Sequence, residues 1–255
     1  MYWDATQSDS GGYNIHGAGT IPGWRRMHQI YSGDIKWHSH SLDCPSSEDV
    51  KIELDKIPTG GPLMVDVEHI PVHVGQDKSG HQATQSNVSK SIQSMKKLAE
   101  IINGYRPDFS LGWYGNHILP IVPWWSDRKN DNSRELNETL VESGVLDYWP
   151  GVHHGCYWGR SEVANCPMHL DEWSEWKRME FNEIRRIHWG TIYPYCWHYY
   201  QPKWVPFASG MECGKSAWRG QLQFCHDQTG NCVVWSKKND GSDNSWWRVI
   251  CRSFS

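Results

Sequence analysis

The chain contains no run approaching the ~18 apolar residues that a membrane-spanning helix requires, so no membrane partner is expected. A Gly-rich phosphate loop and a GxSxG elbow are both missing, which removes nucleotide hydrolysis and serine-esterase chemistry from the leading candidates. Among eight cysteines no two have CxxC spacing, so neither zinc-ribbon nor thioredoxin-like chemistry is indicated. Basic residues are in no excess: the formal net charge is −4, and nucleic acid is not an expected partner. The opening Met1-Tyr2-Trp3-Asp4 has no basic or apolar leader character. There is no internal repeat, low-complexity tract or inter-domain linker, and 255 residues suit one domain. Phenylalanine is scarce at five, against 17 Trp and 11 Tyr.

That aromatic imbalance is the first positive signal. Phe would fill a core as well, whereas Trp and Tyr add a flat face with a polar edge. Sugar rings, with apolar C–H faces and hydroxyl rims, match such surfaces. The even set of cysteines favours disulfides and an oxidising compartment, with Cys156/Cys166 and Cys225/Cys232 close enough in sequence to close small loops. Asn87-Val88-Ser89 and Asn137-Glu138-Thr139 match the N-glycosylation pattern. Together these suggest a secreted or extracellular glycoprotein whose signal is not in this chain.

The most informative stretch is Pro62-Leu63-Met64-Val65-Asp66-Val67-Glu68-His69. It reads as a buried strand leaving a Gly-Pro turn, and on a strand Asp66 and Glu68 share one face. Burying paired acids is costly. At the C-terminal end of a barrel strand, however, they open into the mouth where β/α barrels keep their chemistry. Two coupled carboxylates are what glycoside cleavage needs: like charge and an apolar wall raise the pKa of one, which then serves as general acid.

Around this strand the chain alternates strands and helices. Candidate strands are Tyr2–Asp4, Asp34–His38, 63–68, Phe109–Gly115, Val145–Val152, Gly190–Trp197 and Asn231–Trp235. Helices are expected at about 88–103, 133–143, 170–187 and 216–225, the first with apolar spacing Val88, Ile92, Met95, Leu98, Ala99, Ile102. One helix per connection argues for parallel strands. The expectation is an α/β fold, a single (β/α) TIM-like barrel over 1–255, seven-stranded or incomplete, with segment 1–30 and tail 237–255 poorly defined.

The strand ends, in order, resemble the hyaluronidase-like and related TIM-barrel glycosidases. The likeness lies in Val65-Asp66-Val67-Glu68-His69-Ile70-Pro71, Leu111-Gly112-Trp113-Tyr114-Gly115, Tyr148-Trp149-Pro150-Gly151-Val152-His153, Thr191-Ile192-Tyr193-Pro194-Tyr195 and Cys232-Val233-Val234-Trp235-Ser236. The resemblance implies Glu68 as proton donor to the glycosidic oxygen. Asp66 would orient a substrate acetamido group or tune Glu68, and Tyr114 and Trp235 would line the subsite of the cleaved sugar. Trp113, His153, Tyr193 and Tyr195 belong to the same strand ends and join the substrate-binding candidates. His153 stands where the pattern has a tyrosine, and the segment after Tyr114 departs from the family's cysteine-bearing pattern. The partner is then a polysaccharide or glycan, with no cofactor.

Two other classes compete. Trp37-His38-Ser39-His40 is an HxH pair; with His153, His154, His198 and Asp66 it could build a metal-dependent hydrolase, His38 and His40 being the alternative metal ligands. A barrel that has lost turnover would be a carbohydrate-binding or structural extracellular protein. Glu183, Arg185 and Arg186 read as a solvated helix face.

Overall fold

The computed structural model describes residues 1–5, 23–115, 117–158, 169–197, 213–235 and 246–254. Its strands are β1 (Tyr2–Asp4), β2 (Arg25–Arg26), β3 (His28–Tyr31), β4 (Gly61–Asp66), β5 (Phe109–Tyr114), β6 (Gly151–Gly155), β7 (Thr191–Cys196) and β8 (Cys232–Val234). The helices are α1 (Ser47–Leu54), α2 (Gln85–Tyr105), α3 (Asp127–Glu142), α4 (Leu170–Ile187), α5 (Lys215–Thr229) and α6 (Trp246–Arg252). All eight strands pair in parallel in the order β2-β1-β8-β7-β6-β5-β4-β3. The end strands β2 and β3 are separated by Met27 alone, so the sheet curls back on itself as a TIM-like barrel. Met27 N–H donates to Asp4 O at 2.9 Å across this seam.

Side chains alternate across the barrel wall with the strand period of two. Leu63, Val65, Leu111, Trp113, Val152, Ile192 and Val234 face outward into the core shared with the helices. Trp3, Ala5, Met27, Met64, Tyr193, Tyr195 and Val233 fill the interior. The helices present matching stripes. On α4, Trp173, Trp176, Phe181, Ile184 and Ile187 are buried, and Asp171/Glu172 and Arg185/Arg186 complement the two ends of its dipole. Ser46, Thr84 and Ser126 cap α1, α2 and α3, each side chain accepting a first-turn N–H. Gly230, at φ 74°, ends α5 in the left-handed region.

Several expectations are corrected. Asp34–His38 is turn and loop; the strands near it are β2 and β3, which lie in the segment 1–30 expected to be poorly defined and end one residue past it. Residues 146–148 form a 3₁₀ turn, and the strand begins only at Gly151, because the N–H groups of Tyr148 and Trp149 are spent on Val145 and Leu146 carbonyls and Pro150 has none to give. Helix α1 and the C-terminal helix α6 were not anticipated, and α6 docks through buried Ile250 and Cys251, whose carbonyl accepts from Trp24 Nε1.

Glu183 is buried, bonded to Arg186 and to Asn137 Nδ2, so that part of α4 is no solvated face. Asn137 is itself fully buried, its amide spent on Leu119 and Glu183, and the folded chain offers no acceptor there. Among the described residues no two cysteine sulfurs lie at disulfide-bonding distance, so the expected pairing is not seen there. Cys196 Sγ lies 3.5 Å from Cys225 and 3.8 Å from Cys232, beyond the ~2.05 Å of a disulfide. Cys166 lies outside the described residues, as do Asn116, His198 and Ser236.

Inside the barrel, His153 is fully buried. Its ring stacks on Tyr193 at 4.7 Å, and Nδ1 lies 3.2 Å from the Tyr195 hydroxyl. Two glycines make the room: a Cβ on Gly112 would lie 2.1 Å from the His153 ring, and one on Gly151 would lie 3.1 Å from Gly112 Cα. Gly112→Ala is therefore expected to destabilise the fold by about 1–3 kcal/mol through overpacking, measured as a lower urea midpoint at unchanged m-value.

Burial pushes the His153 imidazole down to about 3, so the folded protein holds it neutral where the unfolded chain would bind a proton. Its contribution is complete above the ordinary histidine range and is lost as pH falls toward 3, at about 1.4 kcal/mol per pH unit once below ~6.5. His28, His69, His73, His117 and His188 are lowered in the same direction, each chiefly by burial. Urea unfolding measured from pH 7 to pH 4 should show steep acid loss of stability, shallower in a His153→Gln variant.

Candidate active site

Strand β4 delivers Asp66 as its last residue, and the chain carries on two residues to Glu68. Asp66 is half-buried and Glu68 exposed. The turn between them is fixed from both sides. Ser32 N–H donates to Asp66 O at 2.9 Å, and Trp113 Nε1 approaches Val67 O at 3.4 Å. Val67, Ile70 and Val72 are buried in the outer core. His73 Nε2 reaches His117 O at 2.7 Å. Glu68 thus extends from a loop pinned by apolar side chains.

Gly115, immediately after β5, completes the setting. At φ +124° it occupies a conformation closed to most side chains, and a Cβ there would lie 3.0 Å from Glu68 Cγ. The missing side chain lets the Glu68 stem lie against the β5 strand end.

Both acids line a cavity of about 290 Å³ at the C-terminal mouth of the barrel. Its wall is aromatic: Tyr31, Tyr114, Tyr157, Tyr195 and Trp235, with Met64 as the floor. The wall is cross-linked by hydrogen bonds. Tyr114 and Tyr157 hydroxyls are 2.7 Å apart, Tyr31 OH donates to Gln29 Oε1 at 2.7 Å, and Trp235 Nε1 lies 3.4 Å from Tyr31 OH. Tyr114 and Tyr195 meet edge to face at 5.3 Å. A second cavity of about 290 Å³ continues past the same Tyr31, Asp66 and Glu68 and is lined by Ser32, Ser39, His69 and Ser79. The two form a cleft with the carboxylates at its middle.

Burial raises the phenols of Tyr114, Tyr157 and Tyr195 above the ordinary tyrosine range, with charge from neighbouring tyrosines and carboxylates adding to the shift. They are therefore neutral, O–H-bearing groups. His69 is lowered, by burial and then by His81.

Of the residues singled out in the sequence, Asp66, Glu68, Tyr114, Tyr195 and Trp235 converge on this cavity. Trp113 does not: it is the outward neighbour of Tyr114, stacked on His117 at 4.3 Å. His153 and Tyr193 form the layer below, beneath Tyr195. Tyr31, Met64 and Tyr157 were missed. Met64 could have been found by stepping two residues back from Asp66 along the same face. Tyr157 could have been found by stepping two residues beyond Gly155, where β6 ends. Tyr31 was hidden because 25–31 does not read as a strand.

The metal alternative finds no support among the described residues, where no group of three or more His, Cys, Asp or Glu side chains is arranged to hold an ion. His38 and His40 are exposed and stack on each other at 5.6 Å in a turn. His154 faces away from the mouth, its Nε2 2.7 Å from Glu180.

No protein-family model matches the sequence, and no curated protein matches it. Solved structures do. Bee venom hyaluronidase superposes with a TM-score of 0.59 at 11 % identity, over 99 % of this chain and 95 % of that one. The fold is similar to that of a TIM-barrel glycoside hydrolase. Bee venom hyaluronidase in complex with a hyaluronic acid tetramer superposes with a TM-score of 0.58 at 12 % identity, over 89 % of this chain and 82 % of that one. At this identity the likeness establishes the architecture; what the site does has to be argued from its residues.

The cavity wall can be tested without a substrate. In an alkaline ultraviolet titration, Tyr114, Tyr157 and Tyr195 should stay un-ionised well past the ordinary phenol range of ~10 until the chain unfolds. Ionisation of every tyrosine near that value in the folded protein would mean that the wall is open to water.

Proposed function

We propose that the protein is a glycoside hydrolase acting on a β-linked, N-acetylated polysaccharide, with Glu68 as the general acid. The observation that carries this is the convergence of Asp66 and Glu68 at the middle of a cleft whose wall is built of tyrosine and tryptophan. The shared fold with bee venom hyaluronidase, solved with a hyaluronic acid tetramer, supports a polysaccharide as the substrate class. Such a substrate implies action outside the cell. No described helix is long and apolar enough to cross a membrane.

The two carboxylates come from one strand end. Among the described lining residues none faces them from across the cleft, where a retaining or inverting pair would need a second carboxylate. A substrate that brings its own nucleophile meets this geometry. The acetamido oxygen of the cleaved sugar attacks the anomeric carbon while Glu68 gives its proton to the departing glycosidic oxygen. Asp66 accepts a hydrogen bond from the acetamido N–H and holds it in line. Water then opens the cyclic intermediate, with the Glu68 carboxylate taking the proton back. The neutral Tyr114 hydroxyl, bonded to Tyr157, and the Trp235 ring contact the sugar as positive charge develops on it.

Glu68→Gln preserves shape and hydrogen bonding but removes the transferable proton, so turnover of an N-acetylated polysaccharide should fall by roughly 10²–10⁴-fold, with binding retained. Asp66→Asn should also lower turnover and leave binding in place. A Glu68→Gln variant as active as the parent would refute the assignment. Binding of a glycan that the parent never cleaves would make the barrel a carbohydrate-binding module.

A further inference from the structure

In the core outside the barrel wall, three thiols from three different elements meet: Cys196 at the end of β7, Cys225 on α5 and Cys232 at the start of β8. All three are completely buried. Cys196 Sγ lies 3.5 Å from Cys225 Sγ and 3.8 Å from Cys232 Sγ. The chemistry of the cleft makes no use of them. A core can hold a thiol as a small apolar group, but Cys225 has polar company. Cys196 donates its S–H to it, Cys156 makes a second side-chain hydrogen bond, and Lys177 and His154 act on it from α4 and β6. Glu180 is paired with both of the latter. Burial opposes ionisation of Cys225, but these neighbours outweigh it and hold the thiol below the ordinary cysteine range. Cys156, Cys196 and Cys232 are pushed up, each chiefly by burial. The thiolate is the form that an oxidant attacks.

We propose that Cys225 is a peroxide-reactive thiol and Cys196 the thiol that resolves it, so that oxidation ties β7 to α5 through a disulfide. Because the thiols are fully buried, the oxidant has to be small and uncharged, which a hydroperoxide of the size of hydrogen peroxide satisfies. The Cys225 thiolate attacks one peroxide oxygen and the O–O bond breaks. Hydroxide leaves, takes up a proton to become water, and a sulfenic acid remains on Cys225. The Cys196 sulfur then attacks the Cys225 sulfur. Its proton leaves with the sulfenic oxygen as a second water, and the S–S bond forms. Two thiols have lost two electrons, and one peroxide has become two waters. The sulfurs must approach by about 1.5 Å to reach disulfide length, a distance that rotation about the two Cα–Cβ bonds can supply. The bond forms directly behind the aromatic wall of the cleft: Tyr195 precedes Cys196, and Cys196 O accepts Trp235 N–H at 3.0 Å. This chemistry is independent of what the cleft cleaves.

The test follows the sulfurs themselves. The full chain is reduced with dithiothreitol, desalted without oxygen, exposed to hydrogen peroxide at neutral pH and quenched in denaturant containing N-ethylmaleimide. Peptide mass mapping should find Cys196 and Cys225 joined, with the linked pair about 2 Da lighter than the two thiol peptides together. Dithiothreitol should then undo the link. Cys232→Ser should form the same link, and Cys225→Ser should form none at Cys196. The inference is overturned if both thiols are recovered alkylated after peroxide has oxidised the half-buried Cys44. It is equally overturned if Cys225 is found joined to another cysteine, or if Cys196 links to Cys232 in Cys225→Ser. The map of the parent chain decides the matter even where a variant fails to fold.

Discussion

Everything at the mouth of this barrel follows from the alternation of side chains on parallel strands held in one register. Tyr31 pairs with Asp66, Asp66 with Tyr114, Tyr114 with His153, and His153 with Tyr193. Because neighbouring strands are staggered around a tilted barrel, this row descends from the mouth into the interior. Its first members meet solvent and its last are covered. A slip of one residue in β4 or β5 would exchange Asp66 with Val65 or Tyr114 with Trp113. Carboxylate and phenol would then enter the helix layer, and apolar groups would take the cleft. Burial of Leu63, Val65, Leu111 and Trp113 against the helices is what prevents that slip.

The same rule explains what could be read in the sequence. Strand β4 was legible because its outward residues are aliphatic and its two acids lie beyond them. Helix α4 was found with its boundaries intact, since its apolar spacing is strong and unbroken. The segment 25–31 was not legible: Arg25, Arg26, His28 and Gln29 carry no apolar alternation. They are held instead by polar contacts, Gln29 Nε2 to Ala5 O at 2.7 Å and Arg26 beside buried Asp4. Composition cannot anticipate such partners, which lie more than twenty residues away. The Trp113 assignment failed for a simpler reason. Two adjacent aromatics on a strand necessarily face opposite ways, and only one of them can reach the mouth.

Polar groups buried outside the cleft are grouped with comparable care. Behind β6, Lys177 and Glu180 pair at 2.7 Å within the packed face of α4, and Lys177 Nζ also lies 3.3 Å from Gly155 O. Burial alone would raise the Glu180 carboxyl, but Lys177 and His154 together hold it below its ordinary range. This ion pair anchors the strand end from which Tyr157 reaches over the cavity. The cleft's aromatic wall thus depends on a charge pair on the opposite side of the sheet, in keeping with the general tendency of buried ions to fix arrangement more than to add stability.

The seam between β2 and β3 has a further meaning. A closed parallel sheet has no edge strand, and so gives another chain nothing to pair with. Here closure rests on a two-residue and a four-residue strand joined at Met27, with the Gln29 amide and the Tyr31–Trp235 contact acting as side-chain stitches. Were this stretch to peel away, β1 and β4 would together present unpaired backbone to neighbouring molecules. The short polar segment that looked least structured in the sequence is therefore what covers the backbone edges of β1 and β4.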